Sequence, residues 1–187
     1  TQKHTGVESR HHVDETTAAE MGALALRDAL ARREGGGSLP DLLLGASGTP
    51  HQPIPCTAAL IAGELGWAGL PCFDVNATCL SFVAALQVAG GLIAGGMHER
   101  VAVVSTEIAS KGLNWKQPEA AGLMGDGAAA ALMEKDDAGG SALLHSLMET
   151  WPEGATFTEI RGGGSRLHAL EHRPGENSDD FLFHMDG

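Results

Sequence analysis

The chain has 187 residues, 43% of them hydrophobic but few aromatic and none tyrosine, and 12 basic side chains face 24 acidic ones for a formal net charge of −12. That length supports one sizeable core, and the abundance of Ala, Gly and Leu suits close packing of helices on a sheet. So acidic a balance excludes sequence-independent binding to nucleic acid or to an anionic membrane surface; no apolar run is long enough to cross a bilayer, and three cysteines without CxxC spacing argue against a disulfide scaffold or structural zinc and for a reducing cytoplasm.

Thr17-Ala18-Ala19-Glu20 is a capping box, and Met21, Leu24, Ala25 and Ala29 continue at helical spacing until Gly35-Gly36-Gly37, which predicts a first helix of about five turns. Residues 42–46 form a short apolar run that reads as a buried strand. Residues 48–55 hold three prolines and read as a loop, and a second helix is expected over 57–65, closed by Gly66. A strand over 72–76 follows, and Cys79 is expected to open a helix carrying Phe82, Val83, Leu86, Ala89, Gly90 and Ile93, whose small residues predict burial on most faces. Residues 101–105 read as a strand inside a parallel sheet, and 107–122 as a loop. Strands are expected at 128–134 and 142–150, joined as a hairpin by a turn over 136–140, and from Trp151 onward the pattern turns irregular. Strands alternating with helices indicate an α/β fold.

Cys79 carries the chemistry in this reading. A thiol where a strand turns into a helix faces unpaired backbone N–H groups and the positive end of the helix dipole, which favours a thiolate nucleophile. A buried structural cysteine is the ordinary alternative, because free Cys is among the most buried residue types. A second motif, Gly125-Asp126-Gly127 followed by a run of alanines, suits a tight loop feeding a closely packed strand. His11-His12 invites a metal reading, but adjacent side chains on a strand point to opposite faces and no acidic or Cys cluster joins them.

Three stretches together, His4 to Arg10, Asp74 to Phe82 and Gly125 to Ala130, resemble ketoacyl-ACP synthase III of the thiolase superfamily in order and spacing. The resemblance implies a thiolase-like layered fold, a mostly parallel mixed sheet with helices on both faces, as the first half of a two-half architecture. Residues 1–150 would be the N-terminal half with its first strand missing, and 151–187 a connector or lid leading to an absent C-terminal half. It implies that Cys79 accepts an acyl group from acyl-CoA or an acyl carrier protein, its backbone N–H forming part of an oxyanion hole. A Claisen condensation with a malonyl thioester would follow, in fatty-acid or specialised polyketide-type synthesis. The His and Asn that serve decarboxylation would lie in the second half; none of the nine histidines stands where that His belongs, and His184 reads as a packing residue. No metal or organic cofactor is implied beyond CoA or phosphopantetheine thioesters as substrates, and a homodimer is expected.

Ile54, in the proline-rich loop, is the candidate for setting acyl-chain length across the dimer interface, with a proline-stiffened surface turn as its alternative. Trp115 is a candidate for the pocket entrance. Ser81 stands where the family usually has Gly, a change that would narrow the space beside the acyl chain. His4 and the region of Pro118 stand where initiating members hold CoA with Arg. These departures point to a specialised acyl donor rather than acetyl-CoA. Arg27, Arg32, Arg33, Arg100, Lys111 and Lys116 are the cations available for docking an acidic carrier protein, solvated surface charge being the alternative for each. An acyltransferase without decarboxylation, or a non-catalytic acyl-binding half of a ketosynthase complex, are the competing readings.

Overall fold

In the computed structural model, residues 5–33, 38–136 and 139–186 are described. His4, the glycines at 35–37 and the middle of the expected 136–140 turn lie outside the described residues. The chain forms two units, one of residues 13–107 with 127–146 and the other of 1–12, 108–126 and 147–187.

The first unit is built on a four-stranded sheet. Its strands are β1 (Leu42–Gly45), β2 (Cys72–Asp74), β3 (Arg100–Glu107) and β4 (Gly127–Glu134), in the order β2-β1-β3-β4. β1 runs parallel to both β2 and β3, while β4 pairs antiparallel with β3 from Arg100↔Glu134 to Glu107↔Gly127. Because successive side chains of a strand point to opposite faces, the central strands feed two cores. Leu43, Ala102 and Val104 pack with Ala19, Ala23 and Leu26 of α1 (Ala18–Ala31) and with Ala58 and Ile61 of α2 (Thr57–Leu65). Leu42, Leu44, Val101 and Val103 pack with Ala85 and Ala89 of α3 (Ser81–Ala94). The mostly parallel mixed sheet with helices on both faces is therefore present.

Local signals account for the helix ends. Thr17 closes the capping box, Glu20 N–H donating to its hydroxyl at 3.3 Å and its own N–H donating to the Glu20 carboxylate at 2.7 Å. The Thr17 backbone N–H, and after it the Thr17 hydroxyl donating to the carboxylate at 2.8 Å, hold the Glu20 carboxyl below the usual range. α1 is one turn shorter than expected, ending at Ala31 with Arg32 as its C-cap. Gly66 ends α2 in the left-handed region at φ 70°, which a residue with a Cβ rarely adopts.

Two larger expectations also fail. Residues 142–150 form no strand, so the hairpin is absent, and the antiparallel partner of β4 is β3. The Asp136 carboxylate gathers the N–H groups of Gly139, Gly140 and Ser141, and Leu143 then lands against Gly90 of α3 instead of extending along β4. The α3 helix is also buried along one side only, at Ser81, Ala85 and Ala89, whereas Val83 is 54% exposed. Its exposed positions are Val83, Gln87, Gly91 and Ala94.

The second unit has little regular structure. It contains a one-turn helix, α4 (Pro118–Ala121), where a loop was expected, and a two-stranded ribbon of β5 (Thr158–Glu159) and β6 (His184–Met185). Phe183 N–H donates to Gly112 O at 2.8 Å, so the segment after residue 147 folds with 108–126. His184 bonds through Nε2 to Asp179 O at 2.6 Å.

Candidate active site

Cys79 is exposed, at the middle of a single 3-10 turn, Thr78–Leu80, that runs straight into α3 at Ser81. The thiol thus stands one short turn ahead of the α-helix, a correction to the expectation that Cys79 itself opens it. The reason lies in the residue before it. Thr78 adopts φ 49°, a left-handed conformation that is costly for a β-branched residue, by about 1–3 kcal/mol. It opens the 3-10 turn on which the exposed Cys79 sits. The conformation is held by Thr78 N–H donating to Asn76 Oδ1 at 3.0 Å and Ala77 N–H donating to Ser81 Oγ at 3.0 Å.

Ser81 is 1% exposed, and its hydroxyl lies 2.6 Å from Thr78 O and 3.3 Å from Ser47 O as well as accepting from Ala77. Its side chain is therefore spent bracing the turn from inside. A glycine at this place would leave the Ala77 N–H without that acceptor.

The approach to the turn is fixed by Asp74, the last residue of β2. Its carboxylate accepts from Thr57 N–H at 2.7 Å and Ala58 N–H at 2.8 Å, capping α2 from a neighbouring strand because the helix's own N-cap, Cys56, makes no side-chain capping bond. On the other side Gly48 borders the turn, where a Cβ would lie in ordinary contact, 3.4 Å from Thr78 O and 3.7 Å from Cys79 N. Glu107 holds this loop through Gly48 N–H and Thr49 N–H. Asp74 and Glu107 were not found from the sequence, since their partners lie 16 and 59 positions away and leave no local pattern. The strand expected over 72–76 ends at Asp74, and Asn76, expected inside it, instead accepts from Thr78 N–H in a local turn.

Ile54 is 84% exposed and borders a shallow pocket of about 330 Å³ formed with Ser47, Pro50, Gln52, Pro53, Pro55, Cys56, Asp74 and Asn76. Trp115 is 58% exposed in the second unit, where it stacks edge-on against His12 with ring centroids 5.6 Å apart. In that unit Asp126 N–H donates to His11 O at 2.8 Å, and the Asp126 carboxylate accepts from Ser110 N–H at 2.9 Å and Ser110 Oγ at 2.7 Å. Gly125 is needed beside it, because a Cβ would meet His11 O at 3.1 Å and Arg10 Cβ at 3.3 Å. Gly127 already begins β4. The Gly125-Asp126-Gly127 motif is thus a fastening of backbone segments. Of the candidate docking cations, Arg33 and Arg100 share the Glu134 carboxylate at 2.9 and 2.7 Å, Arg32 pairs with Asp28, and Arg27 donates to Glu64 O. Among the described residues no cluster of His, Cys, Asp and Glu is arranged to hold a metal ion, and no helix is long and apolar enough to cross a membrane.

Cys72 is half-buried, whereas Cys79 is exposed. Burial pushes the Cys72 thiol up, and the neighbouring Cys56 thiol and Asp74 carboxylate push it further. A raised thiol value means that the unfolded chain releases the proton first. Cys72 therefore contributes stability that is intact below the ordinary thiol range and is lost as pH climbs through its folded value. Labelling of the folded protein with iodoacetamide at pH 8 is expected to modify Cys72 about tenfold more slowly than a free thiol. Peptide mapping checks this, and equal rates would overturn the ordering.

Residues 73–152, which include Cys79 and Gly125 to Gly127, match the family model of 3-oxoacyl-[acyl-carrier-protein] synthase III. The β-ketoacyl-[acyl-carrier-protein] synthase III 1 of Deinococcus radiodurans is 36% identical over 152 residues, covering 73% of this chain and 45% of that protein. The β-ketoacyl-[acyl-carrier-protein] synthase III of Oleidesulfovibrio alaskensis is 33% identical over 186 residues, covering 98% of this chain and 56% of that protein. The crystal structure of the Aquifex aeolicus 3-oxoacyl-[acyl-carrier-protein] synthase III superposes with a TM-score of 0.67 at 31% identity, over 71% of this chain and 43% of that one. The chain spans about half the length of the curated relatives it matches. In sequence, and in its α/β fold, the chain is similar to 3-oxoacyl-[acyl-carrier-protein] synthase III proteins.

Proposed function

We propose that Cys79 is the acyl-accepting nucleophile of a ketoacyl-ACP synthase III-type condensing enzyme. The observation that carries this reading is an exposed thiol on a strained, internally braced turn directly ahead of a helix, inside the segment that matches the family. The Cys79 sulfur, as thiolate, adds to the carbonyl carbon of an acyl-CoA or acyl carrier protein thioester. Backbone N–H groups, that of Cys79 among them, receive the oxyanion. The carbon–sulfur bond to the carrier then breaks, the carrier thiolate takes up a proton, and the acyl group remains on Cys79.

In the second step a malonyl thioester loses carbon dioxide, and the electron pair of the broken carbon–carbon bond forms an enolate. Its carbon attacks the Cys79 thioester, a carbon–carbon bond forms, and the Cys79 thiolate is released. A His and an Asn, which the family resemblance assigns outside this chain, stabilise that enolate. Ile54 at the rim of the loop pocket is the residue we assign to acyl-chain selection, and Trp115 to the entrance. The acyl carrier protein and a second copy of the chain are the partners in this reading, in a cytoplasmic setting.

Incubation of the protein with acetyl-CoA and longer acyl-CoAs, followed by intact-mass measurement and peptide mapping, tests the first step. One acyl group per chain on Cys79 is expected. Modification spread equally over Cys56, Cys72 and Cys79 would sink the reading.

A further inference from the structure

We propose that Glu107 is a positioning residue that aligns the Cys79 turn for acyl transfer, acting through the backbone of Gly48 and Thr49. The inference rests on the reading of Cys79 as the acyl acceptor. Glu107 is the last residue of β3 and is half-buried. Its carboxylate accepts from Gly48 N–H at 2.6 Å, from Thr49 N–H at 2.9 Å and from the Thr49 hydroxyl at 2.6 Å, so one anion organises three donors of one loop. Backbone and hydroxyl donors to a charged acceptor are the strong kind of hydrogen bond.

The held loop is the outer wall of the nucleophile turn. Gly48 lies against the Thr78–Cys79 peptide, Ser47 O faces the Ser81 hydroxyl at 3.3 Å, and the Ser47 hydroxyl accepts from Thr106 N–H at 3.0 Å. Residues 47–49 therefore join the end of β3 to the turn, with contacts on both sides. A shift of this loop moves the space beside the Cys79 N–H, which sets where a thioester carbonyl oxygen can rest. It does not cover or uncover the thiol.

A carboxylate is needed rather than an amide. Glutamine has nearly the same size but one acceptor oxygen, so its NH2 group would face either the Gly48 or the Thr49 donors. Aspartate is one methylene shorter and keeps the charge without the reach.

The two reactions of a nucleophilic thiol separate positioning from collapse. Acyl transfer forms an oxyanion and needs aligned N–H donors, whereas alkylation by iodoacetamide is a direct displacement that forms none. Glu107→Gln is expected to slow acylation of Cys79 by acyl-CoA at least about tenfold, while iodoacetamide alkylation of Cys79 stays within about twofold of the unaltered protein. Thr49→Val removes one of the three donors and is expected to give a smaller loss in the same direction; it serves where Glu107→Gln does not fold. Equal acylation rates in variant and unaltered protein would overturn the proposal, and so would parallel loss of acylation and alkylation. If the unaltered protein alkylates at Cys79 but takes up no acyl group, the acyl-acceptor reading itself falls and this proposal with it.

Discussion

Cys79→Ala is expected to abolish the acyl adduct while leaving the denaturation midpoint almost unchanged. The chemical effect is total because no other group on the turn can take up the acyl group: Ser81 is buried with its hydroxyl engaged, and Thr78 points its hydroxyl to Ala77 O at 2.8 Å. Removal of a nucleophile from a preorganised site lowers the rate on the order of 10⁴-fold or more, even where the oxyanion donors remain. The structural effect is small because the Cys79 side chain is exposed and the bonds that shape the turn come from Asn76, Ala77 and Ser81. Intact-mass measurement beside a urea titration distinguishes the two. A variant that still acquires one acyl group would place the nucleophile elsewhere, with Cys56 the first alternative since it lines the neighbouring pocket.

Much of the architecture was legible because it is written in short-range chemistry. The Thr17 and Glu20 pair fixes where α1 begins, the left-handed Gly66 fixes where α2 ends, and the unbroken Leu42-Leu43-Leu44 run fits a strand with a helix layer on each face. The segment 142–150 was misread because its apolar residues suited a strand, whereas in the fold the N–H groups just before it, of Gly139, Gly140 and Ser141, bond to the Asp136 carboxylate and Leu143 lies against Gly90. The site divides in the same way. Cys79 stands out by its position after a strand and before a helix, whereas Asn76 was read as the end of that strand. What holds them, Asp74 on the α2 N–H groups and Glu107 on the Gly48 loop, depends on elements brought together only by folding. Ser81 shows the limit most clearly. From sequence it is a small side chain beside an acyl group, and in the fold it is an internal brace, since the direction of its hydroxyl follows from the left-handed Thr78.

The Asp74 clamp is also where the fold itself is most sensitive to one added carbon. Gly45 ends β1, pairs with Asp74 on one side and Val104 on the other, and a Cβ placed on it would stand 2.2 Å from Asp74 Oδ1 and 3.2 Å from Ala58 N. Neither neighbour can yield cheaply. β1 is paired along both edges, and Asp74 cannot withdraw without giving up its bonds to Thr57 N–H and Ala58 N–H, which no water could replace at the buried Thr57 and Ala58. Overpacking together with one or both of these charge-assisted bonds leads us to expect that Gly45→Ala destabilises by about 3 kcal/mol, read as a fall in the urea midpoint. Gly63→Ala is the matched control, because a Cβ there meets nothing within 4 Å and the position is inside α2, so a gain of about 0.5–1 kcal/mol is expected. If Gly45→Ala unfolds at the same urea concentration as the unaltered protein, the carboxylate has room to move, and the rigid path from α2 through Asp74 to the Cys79 turn does not exist.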